Sequence, residues 1–148
     1  MSCDAVASAA VLWLAAMAPQ EPMKPELTMP PSAVALEPLF ADIVRRAGAL
    51  KLEVEAFRRD EKPLSPDFAD KVAELSELDM KGHQTLAARG TDGDLKCILR
   101  GIAEDLSLKL AAMKMAQDPA AKDEALADMV YLLNDNVEVI TAPPQPPA

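Results

Sequence analysis

Residues Leu36–Asp60 read LEPLFADIVRRAGALKLEVEAFRRD. The apolar positions Leu36, Phe40, Ile43, Ala47, Leu50, Val54 and Phe57 alternate steps of four and three without a break. That seven-residue repeat lays one apolar stripe along a helix that packs against neighbours. Pro38 is tolerated only in a first helical turn, so it marks the start. The spacing predicts a helix over about Glu37 to Asp60.

Working outward, three further stretches show the same habit. Pro66 to Arg89 carries Phe68, Val72, Leu75, Leu78 and Leu86, with Ser65 as the expected N-cap and Gly90 as the stop. Its stripe is interrupted by Asp79, Gly82 and His83. Asp92 to Gln117 carries Leu95, Ile98, Leu99, Ile102, Leu106, Leu110 and Met113, opened by a capping-box-like Thr91…Asp94. The fourth helix starts at Asp118-Pro119, ends near Thr141, and carries Leu126, Val130, Leu133, Val137 and Ile140.

Helices of roughly 35–39 Å, at 1.5 Å per residue, joined by short loops must run antiparallel to their sequence neighbours. The expected fold is all-α, an antiparallel up-down-up-down four-helix bundle over residues 36–141. A three-helix core with the fourth helix recruited for dimerisation is the rival arrangement. The bundle is preceded by an apolar segment (1–18) and a Pro-rich linker (19–35), and followed by a Pro-rich tail (142–148). Prolines 19, 22, 25, 30 and 31 rule out regular helix in the linker.

Composition agrees with helix. Half of the 148 residues are apolar, yet only five are Phe, Tyr or Trp. Sheets favour aromatic and β-branched residues, whereas Ala, Leu and Met favour helix. The net charge of −9 argues against nucleic acid and against anionic membrane surfaces, both of which recruit Lys and Arg. Ala5–Ala18 (AVASAAVLWLAAMA) is shorter than the roughly 20 residues of a membrane-spanning helix, so no transmembrane segment is expected. Three readings of it stand. It is a secretory signal with Ala16-Met17-Ala18 as the cleavage site, a short helix that docks on the bundle, or residues upstream of a true start at Met23 or Met29. A cleaved signal implies a periplasmic or secreted protein; otherwise the cytoplasm is expected. Cys3 and Cys97 fit no CxxC or haem motif. Two reduced thiols with Cys97 facing the core, or a Cys3–Cys97 disulfide, are the alternatives.

The break in the second stripe is the candidate site. Folding helices two, three and four about their turns puts Gly82 level with about Gly101, and Gly101 level with about Asp135. One cross-section then holds Gly82, His83, Arg100, Gly101, Asn134, Asp135 and Asn136, and the candidate binding residues are Asp79, Lys81, Gly82, Arg100, Gly101, Asn134 and Asn136. Two interior glycines cost about 1 kcal/mol each relative to Ala. Close helix packing or a notch for a binding partner would account for them. His83 is the one histidine of the chain, and imidazole titrates near neutral pH, so it is the expected phosphoacceptor or base if the site is catalytic. The other reading is a hydrogen-bonded structural His.

A four-helix core with a single His on its second helix resembles a histidine phosphotransfer domain. The resemblance is one of layout. That family's pattern is His, a hydrophobic residue two on, then Lys-Gly. Here Thr85, Leu86 and Ala87 follow Gln84, and Lys81-Gly82 precedes His83. The resemblance implies phosphoryl transfer at His83, with Lys81 or Arg89 neutralising the phosphate. The small, acidic, helical layout also resembles flagellar and type III secretion chaperones.

Other chemistries find no support in the spacing. One His cannot supply the Glu-x-x-His pairs of a di-iron bundle. A cytochrome b562-like haem site needs a His on the last helix, which has none. Asp92-Gly93-Asp94 lacks a carboxylate at the twelfth position of a calcium loop, and no glycine-rich phosphate loop occurs. No cofactor or metal is therefore expected. The expected function is non-enzymatic: an acidic helical adaptor, regulator or export chaperone that binds another protein, with a homodimer as a further possibility. Arg45-Arg46 and Arg58-Arg59 are expected to pair with acids on a solvated face.

Overall fold

The computed structural model describes residues 32–90 and 93–142. The apolar segment 1–18, most of the linker, Thr91, Asp92 and residues 143–148 lie outside the described residues. Four α-helices follow a short 3-10 helix, Ala33–Leu36: α1 (Pro38–Arg58), α2 (Phe68–Ala88), α3 (Leu95–Met115) and α4 (Pro119–Thr141). The described residues contain no strand. The architecture is the four-helix bundle that the stripes imply.

Sequential helices are antiparallel neighbours, and α1 also packs on α4. The diagonals of the bundle are therefore α1/α3 and α2/α4. Polar bonds between helices record the register: Arg46 to Glu74, Ser76 to the Ala103 carbonyl, Lys109 to Asp128, and Lys51 to Asn134.

The stripes supply the core. Phe40, Ile43, Ala47, Leu50 and Val54 of α1 are buried against Phe68, Val72, Leu75 and Leu86 of α2 and against Leu99, Ile102 and Leu106 of α3. Met129, Leu133 and Ile140 of α4 close the fourth side. Each such side chain contributes about 1.5–3 kcal/mol on burial.

The ends behave differently from the middle. Leu36 belongs to the 3-10 turn and is exposed, and Phe57 is 37% exposed, so the α1 stripe is core only between Phe40 and Val54. The 3-10 turn occupies residues expected to be linker. Ser32 ties it to the bundle by donating from Oγ to the Ile140 carbonyl at 2.5 Å. At α2, Ser65-Pro66-Asp67 forms a turn instead of the first helical residues. The Ser65 carbonyl accepts from Phe68, and the Ser65 N–H donates to Glu53 Oε1 at 2.6 Å. At α4 the cap is as read: Asp118 Oδ1 accepts from the Ala121 N–H at 2.9 Å, with Pro119 in the first turn. Gly90, at φ +67°, follows α2 in the left-handed conformation that ends helices.

The paired arginines are engaged as expected. Arg45 and Arg46 both bind Asp42, Arg46 also reaches Glu74, Arg58 reaches Asp123, and Arg59 reaches Glu61. Cys97 lies on an exposed face, which corrects its placement in the core.

Candidate functional site

The structure brings some of the eight candidate site residues together and disperses the rest. Asp79 of α2 and Asn136 of α4 are both 0% exposed, and they meet across the diagonal. Asn136 Nδ2 donates to Asp79 Oδ2 at 2.7 Å. The contact reaches through the bundle axis, because α2 and α4 are not neighbours. Burial pushes the Asp79 carboxyl up to about 7, and the amide of Asn136 pulls only partly the other way. Asp79 Oδ1 and Asn136 Oδ1 are buried with no hydrogen-bond partner.

Gly82 sits beside this pair and is buried. A Cβ placed there would stand 3.1 Å from Leu99 Cδ1, 3.2 Å from Phe40 Cε1 and 3.4 Å from Ile43 Cδ1. The glycine makes room for side chains of α1 and α3, so the stripe break is filled and no notch remains. Gly101 is not its counterpart: a Cβ there would meet nothing within 4 Å. The two glycines do not face each other, because α3 presents Leu99 to α2 at that level and turns Gly101 outward.

His83 is half-buried. Its Nδ1 lies 2.6 Å from the Lys96 carbonyl in the first turn of α3. A carbonyl oxygen only accepts, so Nδ1 carries the proton and Nε2 remains the basic nitrogen. Lys81 is exposed, and Arg100 is exposed beside Glu104. Asn134 accepts from Lys51 Nζ at 2.6 Å and donates to Glu138 at 2.7 Å on the α1–α4 surface. Arg89 is held by Glu37 through two hydrogen bonds of 2.8 and 2.6 Å. Of the two cations expected to serve His83, Lys81 is thus exposed and Arg89 is engaged by Glu37. Among the described residues no group of three or more His, Cys, Asp or Glu is placed to hold a metal ion. No helix among them is long and apolar enough to cross a membrane.

A second region was not singled out by the stripe break. At the end of the bundle where α1 and α3 finish and α2 and α4 begin, a cleft of about 350 Å³ opens. Phe57, Leu64, Phe68, Leu110, Met113 and Leu126 supply most of its wall. Its charged lining residues are Lys114 and Lys122, with no Asp or Glu among them. That is unusual in a chain with 24 acids against 15 Lys and Arg. Among the described residues neither lysine forms an ion pair, whereas three acids of the same elements are engaged: Asp118 caps α4, Asp123 binds Arg58 and Asp67 binds Lys71. The signal in the sequence was present but spread out. In an up-down bundle the tails of the α1 and α3 stripes arrive at the same end, and Phe57, Leu110 and Met113 are those tails.

Comparison of this chain with protein-family models, with curated proteins and with solved structures finds no match, so its fold and these two regions are what bear on its function.

Proposed function

We propose that this protein is a non-enzymatic binding module, an adaptor, regulator or export chaperone, and that the lysine-edged apolar cleft is where its partner docks. The partner segment has a defined chemistry: an amphipathic helix with large apolar side chains on one face and carboxylates beside them. The single observation that supports this reading is the composition of the cleft. Six large apolar side chains form its wall, and two lysines without ion pairs among the described residues edge it. A helix-in-groove complex uses such a wall for anchor residues at helical spacing. Lys114 and Lys122 add attraction for acids and discriminate against basic helices. The middle layer supports the same reading by contrast, since its two buried polar side chains, Asp79 and Asn136, bond to each other.

The test is fluorescence anisotropy with a labelled synthetic helix rich in Leu and Glu, against a scrambled peptide of the same composition. Saturable binding to the ordered helix alone, weakened at least tenfold by Lys114→Glu/Lys122→Glu, is expected. Equal binding of both peptides, or an unaffected double variant, would sink the proposal.

Phosphoryl transfer at His83 is the rival, and one observation favours it. The Lys96 carbonyl fixes Nδ1–H, which leaves Nε2 as the nucleophile. Phosphorus would form a bond to Nε2 as its bond to the donor's leaving oxygen breaks. Incubation with a phosphorylated response regulator separates the readings. Acid-labile phosphate in the wild type and none in His83→Gln supports transfer, and no phosphate in the wild type removes it.

A further inference from the structure

The Asp79–Asn136 contact leaves one oxygen of each residue without a partner. Asn136 Nδ2 already donates to Asp79 Oδ2 at 2.7 Å. The oxygens left over, Asp79 Oδ1 and Asn136 Oδ1, are one on each residue, both buried and both without a partner. With Asp79 ionised both are acceptors, and two acceptors cannot satisfy one another. One proton changes that. A neutral carboxyl presents an O–H donor beside its carbonyl acceptor, the complement of a primary amide's N–H and C=O.

We propose that Asp79 and Asn136 form a proton-operated clasp between the diagonal helices α2 and α4, with a proton on Asp79 Oδ1 donated to Asn136 Oδ1. In the closed form two parallel hydrogen bonds join acid to amide across the bundle axis. Opening releases the Oδ1 proton to a solvent base and breaks the bond it made to Asn136 Oδ1. The remaining Asn136 N–H then faces a carboxylate in an apolar layer, and that layer loosens to admit water. The proposal is independent of what the cleft binds.

Among the described residues no charged group shifts the Asp79 carboxyl. On α1, Asp42 and Arg46 bind each other, with Arg46 also on Glu74 of α2, and Lys51 is on Asn134. On α2, Lys81 is exposed and His83 is on the Lys96 carbonyl. On α3, Arg100 is exposed beside Glu104, and on α4, Glu138 accepts from Asn134 while Asp135 is half-buried. The influences on the Asp79 carboxyl are burial, which dominates, and the Asn136 amide.

The test is a carbon-13 carboxyl titration of the full chain by NMR, with Asp79 assigned by its loss in Asp79→Asn, alongside amide hydrogen exchange at α2 and α4. The wild type needs no substitution for the titration itself. The expected midpoint is near 7, well above that of an ordinary Asp, about 3.9. Exchange protection around residues 79 and 136 is expected to fall at least tenfold across that midpoint. In Asp79→Asn, whose amide can make both bonds without a proton, it should stay flat once intrinsic exchange is corrected for. An ordinary carboxylate midpoint would overturn the clasp and indicate an ionised Asp79 bridged to Asn136 by water. Protection that falls in parallel in wild type and Asp79→Asn would overturn it as well.

Discussion

The middle of this bundle and its open end break the same rule in opposite directions. In the middle, polar groups are inside: Asp79 and Asn136 are fully buried. At the end, apolar groups are outside: Phe57 is partly exposed on a cleft walled by Leu64, Met113 and Leu126. A buried polar group usually has a partner, and here the partner is the opposite helix. An apolar surface with its own lysine edge is where we propose that a partner docks. The polar break in the stripe and the proposed docking surface are therefore separate places, about half a helix length apart. The lone histidine drew attention to the first of them.

That contrast can be broken most forcefully by pH. Asp79 is shifted from 3.8 to about 7 in the folded protein. The folded state then holds a proton that the unfolded chain has released. Its contribution to stability is present below about pH 4 and is lost as pH rises through 7. A shift of about 3 units corresponds to about 4 kcal/mol between those limits. Urea unfolding of wild type minus Asp79→Asn at each pH cancels the other carboxylates. The difference is expected to move against the wild type by that order as pH rises, and a flat difference would mean that Asp79 is not held as the acid.

Next in size is Asn136→Ala. It removes the sole partner of a buried carboxyl and is expected to cost about 3 kcal/mol at neutral pH by chemical denaturation. A loss below about 1 kcal/mol would place the pair in contact with water. Smaller still is the pair of glycines. Gly82→Ala gains about 1 kcal/mol of helix propensity but presses a methyl on Leu99, Phe40 and Ile43, and overpacking costs about 1–3 kcal/mol. A net loss of about 1 kcal/mol is expected. Gly101→Ala meets nothing and should gain up to about 1 kcal/mol. Thermal midpoints moving the same way for both would contradict the packing described. The smallest effect on folding is expected at the cleft. Phe57→Ala should change stability by no more than about 1 kcal/mol, since the ring is already partly exposed, yet weaken the Leu- and Glu-rich helix at least tenfold.

Much of the fold was legible because helical periodicity is a local signal. Phe40 to Val54 and Leu126 to Ile140 show it without reference to anything distant. Counting residues from the turns brought Gly82 and Asn136 to one level, since antiparallel helices of similar length rise at the same rate, but it did not place Asp79, one turn away, opposite Asn136. What periodicity does not carry is the rotation of each helix about its axis. That is why Gly101 was expected opposite Gly82 when Leu99 holds the place, and why Cys97 was expected in the core. A stripe also does not reveal where its helix runs out of neighbours. Leu36, Phe57 and Met113 continue the repeat, yet they lie where the bundle ends: Leu36 is exposed at one end, and Phe57 and Met113 line the cleft at the other. The turn at Ser65-Pro66-Asp67 was misread for a related reason. The N–H of Ser65 is taken by Glu53, a residue of another helix, which a local capping rule does not see.

The separation of the two regions is the central claim, and one titration tests it. The synthetic Leu- and Glu-rich helix is added to isotope-labelled full-length protein, and amide and methyl shifts are followed by NMR. The expected result is saturable shifts around Phe57, Leu64, Met113 and Leu126, with the signals of Asp79, His83 and Asn136 left in place. Shifts centred on His83 and Asp79, with the cleft methyls unmoved, would contradict it.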